Sequence, residues 1–198
     1  MASQTFTDTG FTDEDWYGDC LTDRVYRRCR FEGVDLTEAV LTGCRFEECR
    51  WGNVRFNAAR IGESAFLRCD FTRCNLFDAE VTGCKLTGST FEHCELRPLR
   101  ISGGDWSFVS LREADLRGAV IDHARMREVD LSGADCRKAT MTNVDLSGAV
   151  LEKTDFTEAD LRGSDLTAFD PVRARIDRAR IDPQQATVIA QALGFLVS

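Results

Sequence analysis

The sequence predicts an all-β solenoid, a square coil of about nine turns that ends in a short α-helix. Three observations carry this. Large apolar residues recur at every fifth position, small residues sit two places ahead of each, and both patterns stop after Asp182.

The apolar period runs from Phe6 to Ile181 without a break in register. Of its 36 positions, 34 are large and apolar, where composition alone gives about ten; the exceptions are Cys136 and Pro171. A period of five matches neither a helix nor a plain strand. It fits a coil in which each five-residue unit forms one side and then turns a corner. The large centre and the small residue two before it point inward, and the other three point out. Four sides make one turn of 20 residues. Turns stacked at the strand spacing of about 4.8 Å give a rod about 43 Å long, in which each turn touches only its neighbours. A buried large side chain contributes about 1.5–3 kcal/mol, so the ladder of centres offsets the ordering entropy.

The first small sites, Gln4, Thr9, Glu14, Asp19 and Arg24, are polar. Charge is not buried unpaired in so narrow an interior, so the first coil is expected to be ragged and loose, or to act as a polar cap. From Cys29 onward the small site alternates among Cys, Ala, Val and Ser. Glycine concentrates two residues after the centre, with 10 of its 15 occurrences there, which marks corners of unusual φ and ψ. Asp often precedes the centre, as in Ala114-Asp115-Leu116-Arg117-Gly118, and is read as turn chemistry, its carboxylate bonding nearby amides. Around residues 97–104 the small site becomes bulky Leu99, and Pro98 occupies a corner. A kink or widened turn is expected there, with either a cis Arg97–Pro98 bond or an ordinary trans corner. Phe169 and Pro171 break the pattern again, so the last coil should be irregular, although Ile176 and Ile181 resume it.

Asp182 can cap a helix with Pro183 in its first turn, and Gly194 sits where that helix would stop. The chain therefore divides into a coil over residues 1–183 and a helix with an apolar tail over residues 184–198. Val188, Ile189, Ala192 and Leu193 share one side of the helix, and Phe195, Leu196 and Val197 follow. Plugging the open end of the coil is one use for this segment. It leaves the three apolar residues at the tip without a role.

The formal charge is −8, from 25 Lys and Arg against 33 Asp and Glu, which excludes a broad basic face for nucleic acid. No apolar run is long enough to span a membrane, and the opening MASQTFTDTGFTDEDW has neither a basic start nor an apolar core. A cytoplasmic chain is expected, with no membrane and no direct nucleic-acid contact. Of nine cysteines, seven (Cys29, Cys44, Cys49, Cys69, Cys74, Cys84 and Cys94) fall at the small inward site, where they read as apolar filler. Cys136 takes a centre and Cys20 lies beside one. His93 and His123 occupy outward corners, so convergent metal ligands are not expected. A coil filled by its own side chains offers no concave site, so neither catalytic residues nor a cofactor is expected.

Function must then lie on the outside. One outward column reads Asp15, Asp35, Arg55, Asn75, Glu95, Asp115, Asp135, Asp155, Arg175, with Arg97, Arg117 and Arg137 beside it. Residues 101–170 hold 14 acids against 8 bases, whereas residues 24–60 are net +3.

The Ala-Asp-Leu-x-x pattern over residues 6–183 resembles the pentapeptide-repeat proteins, whose fold is a right-handed quadrilateral β-helix. The short uninterrupted array, the segment Cys94-Glu95-Leu96-Arg97-Pro98-Leu99 and the helical C-terminal segment are similar to the MfpA-type proteins, relatives of the Qnr quinolone-resistance proteins. The resemblance implies a non-enzymatic DNA mimic that binds DNA gyrase, modulates it and protects it from fluoroquinolones or similar poisons. It also implies a homodimer through the C-terminal segment, with Val188, Ile189, Ala192, Leu193, Phe195, Leu196 and Val197 as interface. Glu95, Asp115, Asp135 and Asp155 become the candidate partner-binding residues; the alternative is that the acidic column is a solvated face that only keeps the rod soluble. Duplex DNA of 43 Å carries about 25 phosphates, far more than this chain's charge, so shape and specific contacts must add to mimicry. Loops of the Qnr type that project from the rod are absent. The alternative is a scaffold or immunity factor that docks an unrelated protein on the same rod.

Overall fold

Two residues after each centre the backbone enters the left-handed region, and this turns the corner. Positive φ occurs there at ten glycines, such as Gly118 (φ 68°), and at 22 other residues, such as Ala58 (φ 52°). Left-handed backbone costs an L-residue about 1–2 kcal/mol, which explains why glycine is drawn to the site. In the computed structural model, which describes residues 4–197, these corners close a parallel β-solenoid in which every side pairs residues 20 apart.

One side holds four strands, Thr5–Thr7, Val25–Arg27, Arg45–Glu47 and Ala65–Leu67. The next holds five, from Gly10–Thr12 to Thr90–Glu92, and a third holds seven, from Cys20–Thr22 to Thr140–Thr142. The fourth is joined by single bridges, Asp15↔Asp35↔Arg55↔Asn75↔Glu95 and then Asp115↔Asp135↔Asp155↔Arg175. The longest strand ladder thus has seven members, against the nine turns expected from the repeat. Its last partners, Asp160 and Arg180, join by single bridges only. Nearby, Pro171 has no N–H to donate and Phe169 fills a small site. Lys153 N–H pairs with the Arg173 carbonyl (2.9 Å), one residue out of step with the coils before it.

The first coil is ordered. It pairs in register with the second through Phe6↔Tyr26, Phe11↔Phe31 and Leu21↔Leu41, and Gln4, Glu14 and Asp19 face solvent at its outer end. The core above it is aromatic. Phe6, Tyr26, Phe46 and Phe66 stack with centroids 4.9, 4.8 and 4.6 Å apart. Phe11, Phe31, Trp51, Phe71 and Phe91 stack on the adjoining side. Beyond Trp106 the centres are mostly aliphatic, and Leu111, Leu116, Ile121, Met126 and Leu131 are all buried, with Phe156 the aromatic exception.

At the mid-rod irregularity the Arg97–Pro98 bond is cis. Bulky Leu99 is nevertheless buried and starts the strand Leu99–Ser102, which pairs with Ala79–Thr82. The C-terminal helix spans Pro183–Ala192. Asp182 Oδ1 accepts from Gln185 N–H (2.9 Å), and Gln185 Oε1 accepts from Asp182 N–H (2.7 Å), a capping box that fixes the helix start. Gln185 Nε2 also donates to the Leu161 and Ser164 carbonyls (2.6 and 2.7 Å), latching the helix onto the last coil. No helix among the described residues is long and apolar enough to cross a membrane.

Candidate partner-binding face

The interior is occupied by a structural network. Where a corner is tight, the centre's carbonyl accepts from the N–H three residues on, as in Leu116 to Ala119 (3.0 Å), a turn of type II character given the positive φ between them. In more open corners a side chain from the next coil takes over. Ser89 Oγ accepts from Cys69 N–H (3.0 Å) and donates to the Phe66 carbonyl (2.9 Å). Thiols donate in the same way. Cys69 Sγ lies 3.5 Å from the Phe46 carbonyl, Cys74 3.4 Å from Trp51 and Cys84 3.3 Å from Ile61. The inward cysteines are therefore weak donors as well as filler. Burial pushes the Cys84 thiol up to about 11 and raises Cys136 as well, so these thiols are poor nucleophiles and poor ligands. Among the described residues no group of three or more His, Cys, Asp or Glu is placed to hold a metal. His93 and His123 sit at corners with φ 54°, and His123 Nδ1 lies 2.7 Å from its neighbour Asp122.

On the outside, the Asp before each centre folds back onto the chain. Asp115 Oδ1 accepts from Arg117 N–H (3.2 Å), and the Arg117 guanidinium grips both carboxylate oxygens (2.8 and 2.6 Å). Asp135 and Arg137 repeat this arrangement. Asp155 accepts from Thr157 N–H (2.9 Å) and faces Arg175 at 3.8 Å. Arginines also reach between coils, Arg97 to Asp115 at 3.4 Å and Arg117 to Asp135 at 3.5 Å. The Arg117 guanidinium holds the Asp115 carboxyl below the usual carboxylate range, and Arg137 does the same for Asp135. Asp35 falls furthest, to about 2, through its bond from Arg55.

Asp115, Asp135 and Asp155 thus lie one above another on one side of the rod. Their charge alternates with arginine in a zipper rather than forming an unbroken negative stripe. Such exposed pairs each add less than about 1 kcal/mol, so the zipper sets a pattern of charge more than it stabilises the fold. Glu95 stands apart. Its carboxylate accepts from Arg97 N–H (3.3 Å), and its ladder continues to Asn75 while that of Asp115 continues to Asp135. The coils on either side of that gap border a cleft of about 490 Å³.

The C-terminal residues divide. Val188 and Ile189 are half-buried, and Ile189 packs against the coil's own core. Ala192 and Leu193 are exposed, as are Phe195, Leu196 and Val197, with Leu196 fully open to solvent. Sequence reasoning missed the Gln185 latch, although the spacing of Asp182 and Gln185 is that of a capping box. It also missed the donor role of the thiols, because cysteine and alanine alternate at the small site as if interchangeable.

With this geometry in hand, comparison with known proteins gives a consistent picture. Models described as pentapeptide repeats match residues 26–80 and 100–167, more than half of the chain. The fold matches a trypsin-treated variant of QnrB1, a plasmid-mediated fluoroquinolone resistance protein. That match has a TM-score of 0.76 and 19% identity, over 99% of this chain and 98% of that one. Full-length QnrB1 matches with a TM-score of 0.72 and 18% identity, over 96% of this chain and 100% of that one. HetL, a pentapeptide-repeat protein involved in heterocyst differentiation regulation in the cyanobacterium Nostoc, is 20% identical over 89% of this chain and 86% of its own, at a TM-score of 0.43. No curated protein matches the chain in sequence.

Proposed function

We propose that this chain, which belongs to the pentapeptide-repeat family, is a non-enzymatic cytoplasmic protein that binds DNA gyrase, modulates it and protects it from fluoroquinolones or similar poisons. The observation that carries this reading is the end-to-end likeness of the rod to QnrB1, with nearly the whole of both chains in correspondence. A filled interior supports it, because such a rod acts through its outer faces. The side bearing Asp115, Asp135 and Asp155 is the candidate contact, with Glu95 at its edge.

The arginine zipper changes what mimicry can mean here. Each of Asp115 and Asp135 has an arginine bound to it, so gyrase would meet alternating charge on a rigid rod rather than a row of phosphates. Affinity then comes from shape and from pairs that gyrase side chains exchange with this zipper, and long-range attraction adds mainly to the association rate. The same zipper favours a second reading, a scaffold that docks an unrelated protein through complementary ion pairs.

Leu193, Phe195, Leu196 and Val197 project from the end of the rod as an apolar tip, and a two-fold dimer through them would hide it. Val188, Ile189 and Ala192 would support that contact from the helix. Light scattering at micromolar concentration is expected to give twice the monomer mass, and a monomer would remove the dimer.

Charge is separated from fold by replacing Asp115, Asp135 and Asp155 together with Asn. Asn75 already makes the same turn, its Oδ1 accepting from Phe77 N–H (2.9 Å), so the coil is kept. The triple variant is expected to lose gyrase binding with unchanged β circular dichroism. Undiminished binding would reject this face.

A further inference from the structure

The pairing between coils opens beside Pro98. One coil earlier the stitching is complete. Arg73 N–H bonds the Glu92 carbonyl (2.9 Å), Leu76 N–H bonds Glu95 (2.7 Å), and Glu95 N–H bonds Cys74 (2.9 Å). One coil later it is complete again, with Glu113 to Ser132 (2.9 Å), Leu116 to Asp135 (2.8 Å) and Asp135 to Ala114 (2.9 Å). Between them, among the described residues, the corresponding N–H groups of His93, Leu96 and Asp115 make no backbone hydrogen bond, and no bridge joins Glu95 to Asp115. The coils rejoin on both flanks, at Phe91 with Ser110 (3.0 Å) and at Ile101 with Ile121. The result is a slot in which the unpaired backbone edges of two coils face each other, set in the cleft of about 490 Å³.

An unpaired strand edge is a template for another strand. Here the charge around it selects the partner. Arg97 is tied to Asp115 and Arg112 to Asp130 (3.0 Å). Glu92 and Glu113, which line the cleft, have no ion-pair partner among the described residues. Among the described residues the Arg112, Asp115 and Cys94 carbonyls, which stand where those amides would bond, accept no backbone hydrogen bond either. With the free carboxylates they favour a segment that brings N–H groups, carbonyls and positive side chains.

We infer that the slot between residues 93–97 and 112–115 is a docking site for an extended, basic peptide segment of a partner protein, held by backbone pairing to the His93, Leu96 and Asp115 amides and to the Cys94, Arg112 and Asp115 carbonyls, and by Glu92 and Glu113. The slot belongs to the rod itself and stands whether or not gyrase is the partner.

The test uses the full chain and three ten-residue peptides: alternating Lys and Thr, the same peptide N-methylated along one edge, and alternating Glu and Thr. Binding is read by fluorescence anisotropy and by amide hydrogen exchange. The His93, Leu96 and Asp115 amides should exchange freely in the protein alone and slow on adding the basic peptide. N-methylation should weaken binding about tenfold or more, the effect of losing two or so hydrogen bonds, and the acidic peptide should not bind. Replacing Glu92 and Glu113 with Gln, both at the surface, should weaken the basic peptide about three- to tenfold. Amides already protected in the free protein, no binding of the basic peptide, or binding indifferent to N-methylation would each overturn the site.

Discussion

The two halves of the rod solve one problem in two ways. In the N-terminal half the centres on two of the four sides are aromatic and stacked, the inward small site is often Cys or Ser, and strands line three of the four sides. In the C-terminal half the centres are mostly aliphatic, the small site is mostly Ala, and most corners close directly from centre to third residue, as at Leu111, Leu116, Met126 and Leu146. The five-residue period is the same throughout. What shifts is the balance between two ways of satisfying the centre's inward carbonyl. One is the chain's own amide where the turn is tight, already used at Leu36, Phe56 and Leu76. The other is a thiol or hydroxyl from the next coil where it is open, still used at Met141. A buried carbonyl must have some donor, and the small residue decides which.

The comparison is broken most severely by emptying the aromatic column. Phe31→Ala removes a ring stacked 5.0 Å from Phe11 and 3.9 Å from Trp51 and should cost about 4 kcal/mol in chemical denaturation. Leu131→Ala in the aliphatic half should cost about 3 kcal/mol. Equal losses would show that the stacks add nothing beyond burial. At the junction of the halves, Gly104→Ala places a Cβ onto the backbone oxygen of Cys84 at φ 88° and should cost about 3 kcal/mol. Gly118→Ala, with open space around it at φ 68°, should cost only about 1 kcal/mol. Ser89→Ala tests the open corner itself. It strands the Cys69 amide and the Phe66 carbonyl, and should cost about 2 kcal/mol, whereas Ser89→Cys should recover most of it.

The smallest effect is set by pH. Asp35 is depressed from 3.8 to about 2 by Arg55, and Asp115, Asp135 and Asp160 are depressed by the arginines two residues beyond each. A lowered folded pKa gives stability that is complete above the unfolded value and is lost as pH falls through the folded one. The thermal midpoint should therefore hold steady above pH 4 and fall between pH 4 and about 2. Arg55→Gln should flatten the part of that fall that belongs to Asp35.

Much of this was legible in the residues. The centres were readable because burial at fixed spacing leaves a period, and the corners because glycine collects where φ is positive. The stacked Asp115, Asp135 and Asp155 followed from a 20-residue turn. Their near-neutral zipper was only half visible, since Arg97, Arg117 and Arg137 could be seen beside the column but not their grip upon it. The donor role of cysteine and the latch by Gln185 depend on which backbone groups go unpaired, and only the closed coil determines that. The disturbance around Pro98 was legible as an irregularity. Its consequence, unpaired amides at His93, Leu96 and Asp115, lies partly on the facing coil, 20 residues away in sequence.

The most direct test of the gyrase reading is drug-induced DNA cleavage by gyrase from the same host, titrated with the purified protein alongside a supercoiling assay. A dose-dependent fall in fluoroquinolone-stabilised cleavage is expected. Unchanged cleavage and supercoiling at large molar excess would contradict it, and would leave a pentapeptide-repeat rod whose partner is another protein.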